Sequence, residues 1–112
     1  MSEFVEYLNE VFEPFGSIRA RRMFGGYGIY HNDIMFALVV DDVLYLKADA
    51  GTSGYFTRRG LDAFEYVRVG KRISMSYYLA PEEIFEDPDE AMIWANRAYE
   101  AAVRSKRPGR KA

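Results

Sequence analysis

Three runs of strand-forming residues, spread over positions 21–48, are separated by only two polar pairs, Asn32-Asp33 and Asp41-Asp42. Val, Ile, Tyr and Phe suit a pleated, half-buried backbone, and an Asn/Asp pair suits the tight turn of a hairpin. The pattern predicts an antiparallel meander. Within it, Ile34-Met35-Phe36-Ala37-Leu38-Val39-Val40 is apolar at every position. A run with no alternation predicts the central strand, buried on both sides.

The flanking segments supply cover for this sheet. Residues 2–13 place Phe4, Val5, Tyr7, Leu8, Val11 and Phe12 on one side at the helical period, with Glu3, Glu6, Asn9, Glu10 and Glu13 opposite. Ser2 is the expected N-cap, and Pro14 and Gly16 close the helix. Residues 18–24 read as a first strand, with Ile18, Ala20, Arg22 and Phe24 on one face and Arg19, Arg21 and Met23 on the other. Gly25, Gly26 and Gly28 predict a sharp bend or bulge before the meander. In its last strand Leu44, Leu46 and Ala48 alternate with Val43, Tyr45 and Lys47.

Further along, Asp49 and Gly60 bracket a short helix weakened by Gly51 and Gly54. Residues 64–68 and 73–77 predict a second hairpin around Gly70-Lys71. Asp87-Pro88-Asp89-Glu90 combines an acidic cap, a proline at the first helical position and a glutamate three residues after the cap. The helix it starts is expected to reach about residue 105, with Ala91, Trp94, Ala95, Ala98, Tyr99 and Ala102 inward and Ile93 left on the wet side. The elements amount to an α+β domain over residues 1–105, followed by a basic, disordered tail over 106–112.

At 112 residues the chain is one domain, and its 49% apolar and 29% charged residues are ordinary for a soluble fold. Cysteine is absent, which excludes disulfides, thiolate catalysis and thiolate metal sites. Acidic residues interrupt the N-terminus and no apolar run is long enough for a membrane span, so a cytoplasmic protein without a membrane partner is expected. Five bases, Arg104, Lys106, Arg107, Arg110 and Lys111, cluster at the C-terminus. The remainder carries 10 basic and 17 acidic residues. An acidic body with a basic tail differs from the broad basic face of a dedicated nucleic-acid binder.

Catalytic groupings are missing from the sequence. His31 is the one histidine, and beside the Asn32-Asp33 turn it reads as an exposed turn residue. Gly25-Gly26-Tyr27-Gly28 lacks the spacing of a phosphate loop and precedes a strand, so a bend is expected there. The acidic run from Glu82 to Glu90 is explained by two helix N-termini rather than by a metal. No cofactor is expected. The surviving candidates for a binding surface are Arg19, Arg21 and Arg22, with Lys47, Arg68, Lys71 and Arg72. Alternation sends Arg19 and Arg21 from one sheet face, which Tyr45 and Lys47 are placed to share. Basic groups among tyrosines could grip phosphates and stack bases; the plainer reading is a solvated face whose charges discourage aggregation.

The block Arg21-Arg22-Met23-Phe24-Gly25-Gly26-Tyr27-Gly28-Ile29-Tyr30 resembles the N-terminal domain of TfoX/Sxy-type competence regulators. Met35 to Val39, Leu44 to Ala48, Gly70-Lys71, Tyr77-Tyr78, Pro81-Glu82, Trp94-Ala95 and Ala98-Tyr99 follow the same pattern in order. The resemblance implies an α-β(3)-α-β(2)-α fold, with a five-stranded, mainly antiparallel sheet similar to secretion-chaperone-like folds. It also implies a regulatory role in DNA-uptake competence without a catalytic residue set. A stand-alone, non-enzymatic interaction domain is therefore expected, with an unidentified protein or a second copy as partner. The alternative is a nucleic-acid-binding module using Arg19, Arg21, Arg22 and Lys47. Tyr45 and Ile93 complete the candidate interaction surface.

Overall fold

In the computed structural model, which describes residues 2–23 and 25–106, six antiparallel strands form one sheet with helices on one side. Helix α1 is Glu3–Val11, followed by β1 (Arg19–Met23), β2 (Gly26–His31), β3 (Ile34–Val40) and β4 (Val43–Lys47). Helix α2 (Ser53–Thr57) leads to β5 (Ala63–Arg68) and β6 (Lys71–Leu79). A 3₁₀ turn, Glu82–Phe85, and helix α3 (Pro88–Ser105) complete the chain. The strand order is β1-β2-β3-β4-β6-β5. Phe24, the side chains of 67, 68 and 72–74, and the tail from residue 107 lie outside the described residues; with them go the expectations placed on Phe24, Arg68, Arg72 and the disordered tail.

The sheet has one strand more than the five expected. Asn32 and Asp33 take φ of 49° and 63°, and Asp41 and Asp42 take 53° and 60°, so both polar pairs form hairpin turns. Gly25 adopts φ of 75° and completes a third reversal where a sharp bend or bulge was expected. The first run is therefore split into β1 and β2, which pair from Arg19↔Tyr30 to Met23↔Gly26. Gly26 is needed for a different reason. A Cβ there would lie 2.0 Å from the Val39 carbonyl oxygen, a backbone atom that cannot swing aside.

A bulge in β3 decides which residues face the helices. Ile29 pairs with Ala37, but the next residue, Tyr30, pairs with Met35, which leaves Phe36 extra. Phe36 and Ala37 both enter the core, while Met35 and Leu38 fall on the opposite face. An uninterrupted strand would have kept Phe36 and Leu38 together.

The core lies between the sheet and the helices. From α1 come Val5 and Leu8, with Phe12 just beyond it, and from α2 comes Phe56; the sheet adds Ile29, Phe36, Val39, Leu44 and Leu46. Helix α3 contributes Ala91, Ala95, Ala98 and Ala102 around Trp94. Methyl-sized side chains let the helix approach β3 and β4 closely, and the indole fills the space beside Phe56, centroids 5.0 Å apart. Its N-cap is the one the sequence announces: the Asp87 carboxylate accepts from the Asp89 N–H at 2.9 Å behind Pro88. Arg104 near the other end donates to Asp49 at 2.6 Å, fastening α3 to the loop after β4.

Replacing Gly26 with Ala is expected to destabilise the domain by about 3 kcal/mol or more, because β2 and β3 must separate to admit the methyl group. Replacing Gly25 with Ala strains only the turn and should cost roughly 1 kcal/mol. Urea denaturation of both variants measures the contrast; equal, small losses would refute the close approach.

Candidate interaction surface

Strand pairing carries one row of positions across five strands on the face that no described helix covers. Arg21 pairs with Gly28, Gly28 with Leu38, Leu38 with Tyr45, and Tyr45 with Leu79. Beside this row, Arg19 pairs with Tyr30 and Lys47 with Tyr77. Phe64 of β5 meets Tyr45 at 5.0 Å between ring centroids, and Tyr66 stacks on Phe64 at 6.3 Å. The result is an apolar and aromatic strip with arginines at the β1 edge.

This face is partly roofed by its own side chains. Leu38 is only 1% exposed and Tyr77 9%, although no described helix covers them. Without a side chain at Gly28, the Met23, Met35 and Tyr30 side chains close over its position. Arg21 lies over the Tyr30 ring at 5.3 Å and Lys47 over the Tyr77 ring at 5.2 Å, both cation–π contacts. Partial burial lowers the Lys47 pKa, an effect offset in part by Asp49. Burial, reinforced by Tyr30, raises the Tyr77 phenol from 10.0 to about 12. Lys47 is thus a packed cation, whereas Arg19 and Arg21 remain exposed.

Of the candidates named from the sequence, Arg19, Arg21, Tyr45 and Lys47 share this face. Arg22 pairs with Tyr27 and lies over its ring at 5.9 Å on the helix side, so it does not join them. Ile93 is 43% exposed on the outer side of α3, in the other layer. His31 is not the plain turn residue expected. Its ring is half-buried against Phe15 and Tyr99, at 4.6 and 5.0 Å, with Nδ1 2.7 Å from the Ser17 carbonyl oxygen. Among the described residues no three His, Asp or Glu side chains gather as a metal site would need, and no helix is long and apolar enough to cross a membrane.

A second cationic cluster escaped the sequence reading. Arg97 of α3 stacks on Tyr55 of α2 at 3.7 Å and reaches Trp94 at 4.8 Å. Arg58 lies 5.4 Å from the Tyr55 ring and Arg59 5.7 Å from Trp94. Arg59 also pairs with Glu83. The Arg58-Arg59 doublet and an arginine three residues after Trp94 are visible in the chain, but only folding of α2 against α3 unites them.

One sheet, helices on a single face and an aromatic strip with bases on the other define a small two-layer α+β domain. Its sequence matches the TfoX N-terminal domain model over residues 10–102, and the chain belongs to that family. It is similar to Protein Sxy of Escherichia coli strain K12, 26% identical over 97 residues that make up 87% of this chain and 46% of Sxy. It is also similar to DNA transformation protein TfoX1 of Aliivibrio fischeri strain ES114, 27% identical over 100 residues, 89% of this chain and 48% of that protein. The chain spans about half the length of these curated relatives.

Because the folded Tyr77 holds its proton to about 12 while an unfolded tyrosine releases it near 10, its contribution to stability is complete below pH 10 and is lost as pH rises towards 12. The unfolding free energy should therefore fall across that interval, and Tyr77→Phe should flatten this part of the curve. Denaturation from pH 9 to 12 compares them; an unchanged slope in the variant would refute the burial of this phenol.

Proposed function

We propose that the chain is a non-enzymatic regulatory domain, cytoplasmic in its working location, that holds another protein against the open face of its sheet. The observation that carries this reading is the row from Arg21 through Leu38 and Tyr45 to Leu79, bordered by Phe64 and Tyr66. Aromatic, arginine and aliphatic side chains on a preformed face resemble the centre of a protein interface more than a solvated surface. Its two cation–π pairs hold Arg21 and Lys47 in place before a partner arrives, which lowers the entropy cost of binding. Membership of the TfoX N-terminal family, and a relative named as a DNA transformation protein, support a regulatory part in DNA uptake.

Nucleic acid is the second reading, favoured by Arg19, Arg21 and Lys47 beside Tyr30 and Tyr77. The acidic excess of the body opposes the long-range attraction on which such binding depends. Affinity capture with the intact chain separates the two. A protein retained by the native face and lost with Tyr45→Glu or Leu79→Glu, but kept with Arg19→Ala, is the expected result. Salt-sensitive retention of DNA or RNA that disappears with Arg19→Ala and Arg21→Ala would overturn it in favour of the second reading.

A further inference from the structure

On the helix side, away from the open face, the molecule carries two surfaces of opposite character. The first is the arginine cluster around Tyr55 and Trp94. Tyr55 is 39% exposed, and Ile93, one helical turn before Arg97 on α3, is exposed as well. Neither Arg58 nor Arg97 has an ion-pair partner among the described residues, and their guanidinium carbons lie 5.4 and 3.7 Å from the centre of the same Tyr55 ring. A ring contact of this kind restrains an arginine side chain and leaves its planar fork available to a carboxylate.

The second surface is a groove of about 370 Å³ between the end of α1 and the start of α3. Tyr7, Val11, Ile84 and Phe85 give it apolar walls; Glu10, Glu13, Glu86 and Asp87 give it acidic rims. Asp87 is occupied as the α3 cap. Glu10 and Glu13 have no such role. They stand at the C-terminal end of α1, whose last turn holds no base, and there the helix dipole already makes the potential negative. Carboxylates so placed cost stability unless a cation comes to them. The 3₁₀ turn Glu82–Phe85 lies between the two surfaces: Glu83 pairs with Arg59 on one side, while Ile84 and Phe85 wall the groove on the other.

We propose that Arg58 and Arg97, stacked on Tyr55, form a carboxylate-binding site whose occupant is the acidic groove of a second copy of this chain. A two-fold axis near the 3₁₀ turn would place each arginine cluster over the other copy's Glu10 and Glu13, so the contact is made twice. Ile93 and Tyr55 of one copy then cover the apolar walls of the groove in the other. Every charged group the interface needs is present on one molecule in the complementary sign. The contact leaves the open sheet face free, so it is independent of the partner proposed for that face.

Sedimentation of the intact chain at micromolar concentration, with charge-reversed variants, tests this. The native chain should be a dimer that loosens as salt rises from 0.05 to 0.5 M, a range expected to screen surface charges over roughly 14 to 4 Å. The double variants Arg58→Glu/Arg97→Glu and Glu10→Lys/Glu13→Lys should each sediment as monomers, since each sets like charges together. Mixed in equal amounts they should form a heterodimer, because both contacts are then restored. The lysine variant suits the α1 dipole, so it should keep the native far-ultraviolet circular dichroism and a cooperative unfolding transition, which separates lost association from lost folding. A monomeric native chain, a dimer indifferent to either double variant, or a mixture that stays monomeric would overturn the proposal, and none of these outcomes bears on binding at the open face.

Discussion

Everything about the two faces of this sheet follows from the bulge at Phe36. By giving β3 one residue more than β2 needs, the bulge turns Phe36 and Ala37 to the same side. Phe36 then meets Phe12 and Phe15 at 5.5 and 5.2 Å, which joins the turn after α1 to the sheet. Beyond the bulge the alternation resumes out of phase, and Leu38 comes to the open face between Gly28 and Tyr45. One extra residue thus supplies the core with an aromatic anchor and the opposite face with its central aliphatic residue.

The helix layer depends on shape more than on hydrophobicity. Helix α3 buries five alanines and one tryptophan, so its axis sits close to β3 and β4 while the indole reaches across to Phe56 of α2. The price of that closeness is a thin layer, and Trp94 is reached from outside by Arg59 and Arg97. No described helix covers the open face. It protects Leu38 and Tyr77 with methionine, tyrosine and lysine side chains, an arrangement that excludes water yet leaves an adaptable surface.

Much of this was legible from residue chemistry, for reasons that are local. Asn32-Asp33 and Asp41-Asp42 tolerate positive φ, and no neighbour had to be known to place those turns. Asp87 and Pro88 announce α3 in the same way. Gly25-Gly26 was ambiguous because glycine permits a bend, a bulge or a reversal alike; only the fit of Gly26 against the Val39 carbonyl oxygen selects the last. The bulge itself left no mark, since Phe36, Ala37 and Leu38 are apolar and satisfy either face. Alternation sufficed to put Arg19 and Arg21 on one side and Arg22 on the other. It had nothing to say of Arg58 and Arg97, 39 positions apart and joined only by stacking on Tyr55.

A partner seated on the face opened by the bulge, as proposed, would shield its side chains while the protein works. Oxidative footprinting of Met23 and Tyr45 measures this directly, comparing the chain inside living cells with the same chain purified. Marked protection of both side chains in cells, lost on purification, is the expected result. Equal labelling in the two settings would contradict it.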